Sequence, residues 1–269
     1  MAPSAASSQP VSLPELRKFF AGIGLRLELP EPGPNSPSPK DLEEFLAAIS
    51  VHIAQAEEQQ RELDRKEATR FNVFDLIEPE ENKLSDVLKL LLDPRGSHGQ
   101  GDLFLRLLLQ QLGFSPDHLR TASARAHREA PAQVVSNQRR YIDVLVESGV
   151  LLAIENKVDA PDQPKQVKDY LGYLARRATS ARQQYSLIYL TPDCHTPDSL
   201  DALELQAARQ ERRLHCWSYQ RELRAWLDLC RDNCEAPKIR HFLSDFISYI
   251  ETDLHRELQP DLEEPTDEN

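Results

Sequence analysis

Residues 141–157 constrain this chain more than any other stretch. Tyr141-Ile-Asp-Val-Leu-Val-Glu147 alternates and is rich in β-formers, Ser148-Gly149 reads as a tight turn, and Val150-Leu-Leu-Ala-Ile-Glu-Asn-Lys157 reads as a second strand. Two such runs joined by two turn residues make a β-hairpin. Three polar residues stand where a plain core strand would not put them: Asp143, Glu155 and Lys157. Residues two apart on a strand share a face, so Glu155 and Lys157 point one way and Asn156 the other. The turn position makes Asp143 and Glu155 near cross-strand neighbours.

Opposed carboxylates repel, and a divalent cation removes that penalty. Magnesium takes oxygen ligands and is held by one or two carboxylates plus waters and substrate phosphate. The main-chain carbonyl of Asn156 could complete such a site. An ammonium beside it, that of Lys157, can offset charge on a phosphate or help acidify a water. The bland alternative is an amphipathic hairpin with a solvated charged face, on which Glu155 and Lys157 are a surface pair. E-x-K alone is weak; the hairpin, the upstream aspartate and the helix that follows strengthen it.

Helices surround the hairpin. Eight of the nineteen prolines lie in the first forty residues. There Ser12 to Phe20 could form a short helix, and Glu31 to Pro39 reads as a linker. A helix begins at Pro39 with Ser38 as cap and Leu42, Phe45, Leu46, Ile49 and Ile53 at helical spacing; the polar stretch Glu57 to Arg70 continues it or frays. Further helices are expected over Glu81 to Leu92 and over Asp102 to Leu112, the latter capped by Asp102. His98, in the glycine-rich loop between them, reads as a loop hydrogen-bonder, and that loop lacks the context of a phosphate cradle. A strand lies within Ala122 to Val135. A helix after Asp162 that runs to about Arg177, a strand Tyr185 to Leu190, a helix, a strand Leu214 to Trp217 and helices over Gln220 to Leu229 and Lys238 to Leu254 follow. Strands interleaved with helices give a mixed α/β core.

Arg140-Tyr-Ile-Asp-Val-Leu-Val, Ile-Glu-Asn-Lys-Val-Asp-Ala and Asp162-Gln-Pro-Lys-Gln-Val-Lys-Asp-Tyr170 together resemble the PD-(D/E)XK nuclease superfamily. Asp143 matches the aspartate of its motif, and Glu155-Asn156-Lys157 match (D/E)-X-K; Ile142 stands where the name has proline. Gln166 to Tyr170 is similar to the Q-x-x-x-Y of the RecB-like branch, two side chains one helical turn apart. The resemblance spans roughly Asn72 to Glu251, and Glu81-Asn-Lys-Leu-Ser-Asp and Ser97-His-Gly-Gln-Gly-Asp-Leu-Phe104 look like the N-terminal helices of bacterial members. It implies a restriction-endonuclease-like α/β core, with a mixed central β-sheet flanked by helices and extra N-terminal helices. It implies Asp143, Glu155, Lys157, Gln166 and Tyr170 as catalytic residues. As metal ligands for magnesium, with manganese as substitute, it implies Asp143, Glu155, Asn156 and Glu81. The implied partner is nucleic acid, DNA in the first place, in restriction or phage defence by analogy of fold. Cutting both strands of a duplex would favour a homodimer. The alternative is a nuclease-like fold that has lost catalysis and serves as a nucleic-acid-binding or protein-interaction module.

Charge and cysteine usage bound these readings. The net charge is -12, of which Glu251 to Asn269 carries -7 (eight acidic residues, one arginine), leaving -5 for the other 250 residues. Nucleic acid must then meet a local basic surface, for which Arg139, Arg140, Lys165, Lys168, Arg176, Arg177 and Arg182 flank the hairpin. Cys194, Cys216, Cys230 and Cys234 lack zinc-site spacing and read as reduced thiols. No apolar run is long enough to span a bilayer and the N-terminus has no secretory pattern, so a cytoplasmic location is expected. The expected organisation is a Pro-rich segment over 1–40, the nuclease-like domain over 41–254 and an acidic, disordered tail over 255–269.

Overall fold

The computed structural model describes residues 39–115, 119–132, 140–158 and 162–256. Ser38, the candidate helix Ser12 to Phe20 and most of the acidic tail lie outside the described residues. The chain divides into two compact units, Met1–Phe71 and Asn72–Asn269. In the first, helix α1 (Pro39–Glu67) runs through the polar stretch without a break.

The second unit holds the hairpin. Helix α2 (Val73–Ile77) is one short turn capped by Asn72, whose side chain accepts the Phe74 N–H. It is too short for periodicity to reveal it. Helix α3 (Glu81–Leu92) buries Leu84, Ser85, Leu88, Leu91 and Leu92, a stripe at three- and four-residue spacing. Its loop to α4 (Leu103–Gln111) is closed by His98, which is buried and lies 3.0 Å from the Asp93 carbonyl. Asp102 stands at the N-cap of α4, but its carboxylate accepts the Thr121 hydroxyl at 2.5 Å instead of capping.

Among the described residues five strands form one sheet in the order β1-β2-β3-β4-β5: Arg125–Ala132, Arg140–Glu147, Val150–Asn156, Gln184–Thr191 and Leu214–Ser218. The first three are antiparallel neighbours; β3, β4 and β5 run parallel. Gly149, in the β2–β3 turn, lies against Leu119, where a Cβ would come within 2.9 Å of Cδ2. Parallel neighbours need crossovers, supplied by α5 (Gln166–Ala181) between β3 and β4 and by α6 (Ala202–Gln210) between β4 and β5. A π-helical turn, Tyr219–Leu223, leads into α7 (Arg224–Asn233), and α8 (Pro237–Arg256) ends the described chain.

The sheet is packed on both faces. One core gathers Val144, Val146, Leu152 and Ile154 with residues of α3, α4, α7 and α8; the other gathers Leu145, Leu151 and Ala153 with Val167, Tyr170, Leu171 and Leu174 of α5. Every residue of β3 is buried. A strand covered on both sides is apolar throughout unless a polar residue has a partner, which makes Glu155 and Asn156, at its end, the residues to account for. Among the described residues no helix is long and apolar enough to cross a membrane. The four cysteines are free thiols.

Candidate active site

The β2–β3 ladder stops one step before Asp143 would face Glu155: its last pair is Val144 with Ile154. Beyond it, the Asp143 carboxylate accepts the Asn156 N–H at 2.8 Å, as a main-chain carbonyl would. The β1–β2 ladder lapses at the same level. Arg128 pairs with Val144 and Ala130 with Ile142, while Glu129 between them has φ 46. A left-handed non-glycine residue costs on the order of 1 kcal/mol or more, and such strain gathers at functional sites. The strand also changes faces here, since Ile142 joins the α5-side core and Val144 the opposite one. Simple alternation placed Asp143 on the face of Glu155; instead its carboxylate reaches into the gap between the two strands. Arg128 braces the distortion by donating to the Asp143 carbonyl and to Asp86, the latter at 2.9 Å.

Glu155 is 1% exposed. Its Oε1 receives Lys157 Nζ at 3.1 Å and Gln166 Nε2 at 2.5 Å. Its Oε2 is buried without a partner. Burial first, and the Asp143 carboxylate second, push the Glu155 carboxyl up to about 8. Burial likewise raises Asp143, against the pull of the Asn156 N–H and Lys157. Lys157 follows the last residue of β3, and its N–H bonds the Leu190 carbonyl at 2.8 Å. Burial acts to lower its ammonium, but Glu155 and Glu81 outweigh it and raise it. Glu81, from the first turn of α3, lies 3.7 Å from Lys157 Nζ and accepts the Val158 N–H at 3.2 Å.

Helix α5 supplies the remaining side chains. Gln166 and Tyr170 are both buried. Gln166 accepts the Gln163 N–H at 2.8 Å while its amide nitrogen bonds Glu155 and lies 3.2 Å from the Tyr170 hydroxyl. That hydroxyl donates to the Tyr141 carbonyl at 2.6 Å, and the ring packs in the core with Leu171 and Leu174. Holding the turn before α5 and reaching the carboxylate, or packing and touching the site, are thus compatible roles for one side chain. The structure therefore gathers Asp143, Glu155, Lys157, Gln166, Tyr170, Asn156 and Glu81 at one end of β3.

The flanking basic residues behave differently. Arg140 does not line a groove: it is 5% exposed and braces the start of α5, bonding Asp169 at 2.8 Å, Gln163 at 3.1 Å and the Pro164 carbonyl at 2.7 Å. Lys168 is paired with Glu204, and Arg177 with Glu147 at 2.7 Å. Lys165, Arg176 and Arg182 are exposed. Arg139 lies outside the described residues.

Comparison with known proteins adds one finding. The profile of the PD-(D/E)XK nuclease superfamily matches residues 71–248, two thirds of the chain. The chain belongs to the PD-(D/E)XK nuclease superfamily. No curated protein and no solved structure matches it. Its mixed five-stranded sheet flanked by helices is the restriction-endonuclease-like α/β fold of that superfamily, whose nucleases generally use divalent metals.

The residues of this PD-(D/E)XK protein fit such an ion in part. Among the described residues no group of three or more His, Cys, Asp or Glu side chains is arranged to hold a metal. The candidate donors are the Asp143 and Glu155 carboxylates, the Asn156 main-chain carbonyl and, beyond Lys157, the Glu81 carboxylate, an all-oxygen set that suits a hard cation. The partnerless Glu155 Oε2 is the group such a cation would satisfy. Three residues that touch this site escaped sequence reasoning: Arg128, Ser85 and Tyr219. Ser85 and Tyr219 bond the side chain of Asn156 from the far face of the sheet. No local pattern marks Ser85 or Tyr219, because each reaches Asn156 across more than 60 residues of chain.

Proposed function

We propose that this protein is a magnesium-dependent nuclease that hydrolyses phosphodiester bonds in DNA, with manganese as a substitute metal and Gln166 and Tyr170 as the Q-x-x-x-Y pair of the RecB-like branch. The observation that carries the reading is Glu155: a buried carboxylate with one oxygen held by Lys157 and Gln166 and the other left without a partner. Asp143, Glu155 and the Asn156 carbonyl would hold the cation, with Glu81 as a further ligand. When bound, that cation would neutralise the carboxylates, polarise a phosphoryl oxygen and acidify a water. Lys157 holds a positive charge beside Glu155, where a phosphate's negative charge needs an opposite. Gln166 fixes the Glu155 Oε1 and so sets which oxygen stays open; Tyr170 anchors the helix to β2. A cytoplasmic role in restriction or phage defence agrees with this chemistry, and a homodimer would let two sites cut both strands of a duplex.

The test is cleavage of supercoiled plasmid, single-stranded DNA and RNA by purified protein with magnesium, manganese or EDTA, beside Lys157→Ala. Cleavage of DNA that needs a divalent cation and vanishes in the variant supports the reading. Equal cleavage by the variant, or none by the wild type on any substrate, overturns it.

A further inference from the structure

Asn156, the middle residue of Glu155-Asn156-Lys157, points away from the carboxylates. Its side chain is fully buried and both of its polar atoms are hydrogen-bonded. The amide nitrogen donates to the Glu81 carbonyl at 3.1 Å and to Ser85 Oγ at 3.1 Å; the amide oxygen accepts the Tyr219 hydroxyl at 2.6 Å. Asn156, Ser85 and Tyr219 are each 0% exposed. Glu81 and Ser85 lie one helical turn apart on α3, so the amide spans that first turn as a clip. Tyr219 opens a π-helical turn, a distortion frequent at functional sites. The Glu81 carbonyl settles which way the amide faces: it can only accept, so the nitrogen must face α3 and the oxygen Tyr219. Burial raises the phenol well above its ordinary value, so it stays a donor.

On the other side of the strand, the same turn of α3 sends the Glu81 carboxylate to Lys157 and to the Val158 N–H. The clip and the carboxylate therefore belong to one rigid unit. We infer that Tyr219 is a positioning residue: acting through Asn156, it pins the end of β3 to the first turn of α3 and thereby holds Glu81 at Lys157. The consequence for turnover rests on the nuclease reading; the placement of Glu81 does not. Partners one step removed from a metal site typically change affinity or activity by about 10- to 100-fold when lost.

Tyr219→Phe removes the hydroxyl and keeps the ring. Two readouts test it. By NMR hydrogen exchange in metal-free protein, the Val158 amide should exchange at least about tenfold faster while core amides such as Leu152 keep their rates. In magnesium-dependent cleavage, kcat should fall about 10- to 100-fold with KM unchanged. Leu109→Ala, a core variant of α4 that makes none of the clip's hydrogen bonds and should lower the melting temperature at least as much, should keep wild-type kcat. Ser85→Ala, which takes one acceptor from the same amide, should shift both readouts the same way by less. A Tyr219→Phe protein with wild-type Val158 exchange, or a kcat loss matched by Leu109→Ala, overturns the inference. A wild type that cleaves nothing overturns the nuclease reading alone, since faster Val158 exchange would still establish the positioning role.

Discussion

Replacing Glu155 by Gln should make the metal-free protein more stable in alkaline solution while destroying its activity. The carboxyl is carried from its ordinary 4.5 to about 8, chiefly by burial. Between those values the folded state holds a proton that the unfolded state has lost, so stability falls as pH rises through that window. At about 1.4 kcal/mol per pH unit the loss by pH 8.5 is at most about 5 kcal/mol. Glutamine keeps an oxygen for Gln166 but puts an amide nitrogen at the buried, partnerless Oε2 position, which leaves a net gain of roughly 2–4 kcal/mol. For a unit of this size that is roughly 5–15 °C in Tm. The assay is thermal melting in EDTA at pH 5.5, 7 and 8.5. The variant's advantage should be near zero at pH 5.5, where Glu155 is protonated in the folded wild type, and grow steadily to pH 8.5. Saturating magnesium at pH 8.5 should raise the wild-type Tm and close the gap. A difference that does not change with pH, or a variant less stable than wild type at pH 8.5, would refute the reasoning.

Other perturbations separate the roles of neighbouring residues. Asp143→Asn should abolish magnesium-dependent cleavage with a Tm within a few degrees of wild type; retained cleavage in a plasmid assay would remove Asp143 from the site. Gln166→Ala should lower kcat about 10- to 100-fold, and single-turnover kinetics at saturating DNA would expose the error if chemistry ran at the wild-type rate. Arg140→Gln leaves Asp169 without its partner beside a buried arginine site, and urea unfolding should show a loss of about 3 kcal/mol; an unchanged midpoint would return Arg140 to the surface. Lys165→Glu should weaken DNA binding and reduce the slope of log K against log salt by about 1, whereas an unaltered slope would place Lys165 away from the phosphates.

The hairpin was legible because its signals are local: alternation, two turn residues and polar intrusions at fixed spacing. Helix α3 was legible for the same reason, its leucines marking one face. The geometry of Asp143 was not. Period-two reasoning assumes an unbroken pleat, and Glu129 with its positive φ breaks the pleat from the neighbouring strand. Arg140 misled because an arginine beside a motif looks like a phosphate contact until the first turn of α5 supplies Asp169 and the turn before it supplies Gln163 and the Pro164 carbonyl. Asn156 was read for its main chain alone. What its side chain does depends on Glu81 and Tyr219, 75 and 63 residues distant, and such pairings have no sequence period.

The contacts at the end of β3 differ greatly in how much chain each must close. Asp143 and Gln166 meet this strand end across 13 and 11 residues; Glu81 must close 75. By loop-closure entropy the longer loop costs about 1.5 kcal/mol more than either short one before any contact repays it. The hairpin and the start of α5 can therefore come together while α3 is still undocked. In that partly folded chain Asp143, Glu155 and Lys157 would already lie together without Glu81, so the turn of α3 adds its carboxylate to a site that has formed without it. Folding order would then be written into the site itself, with the clip at Asn156 as its closing step.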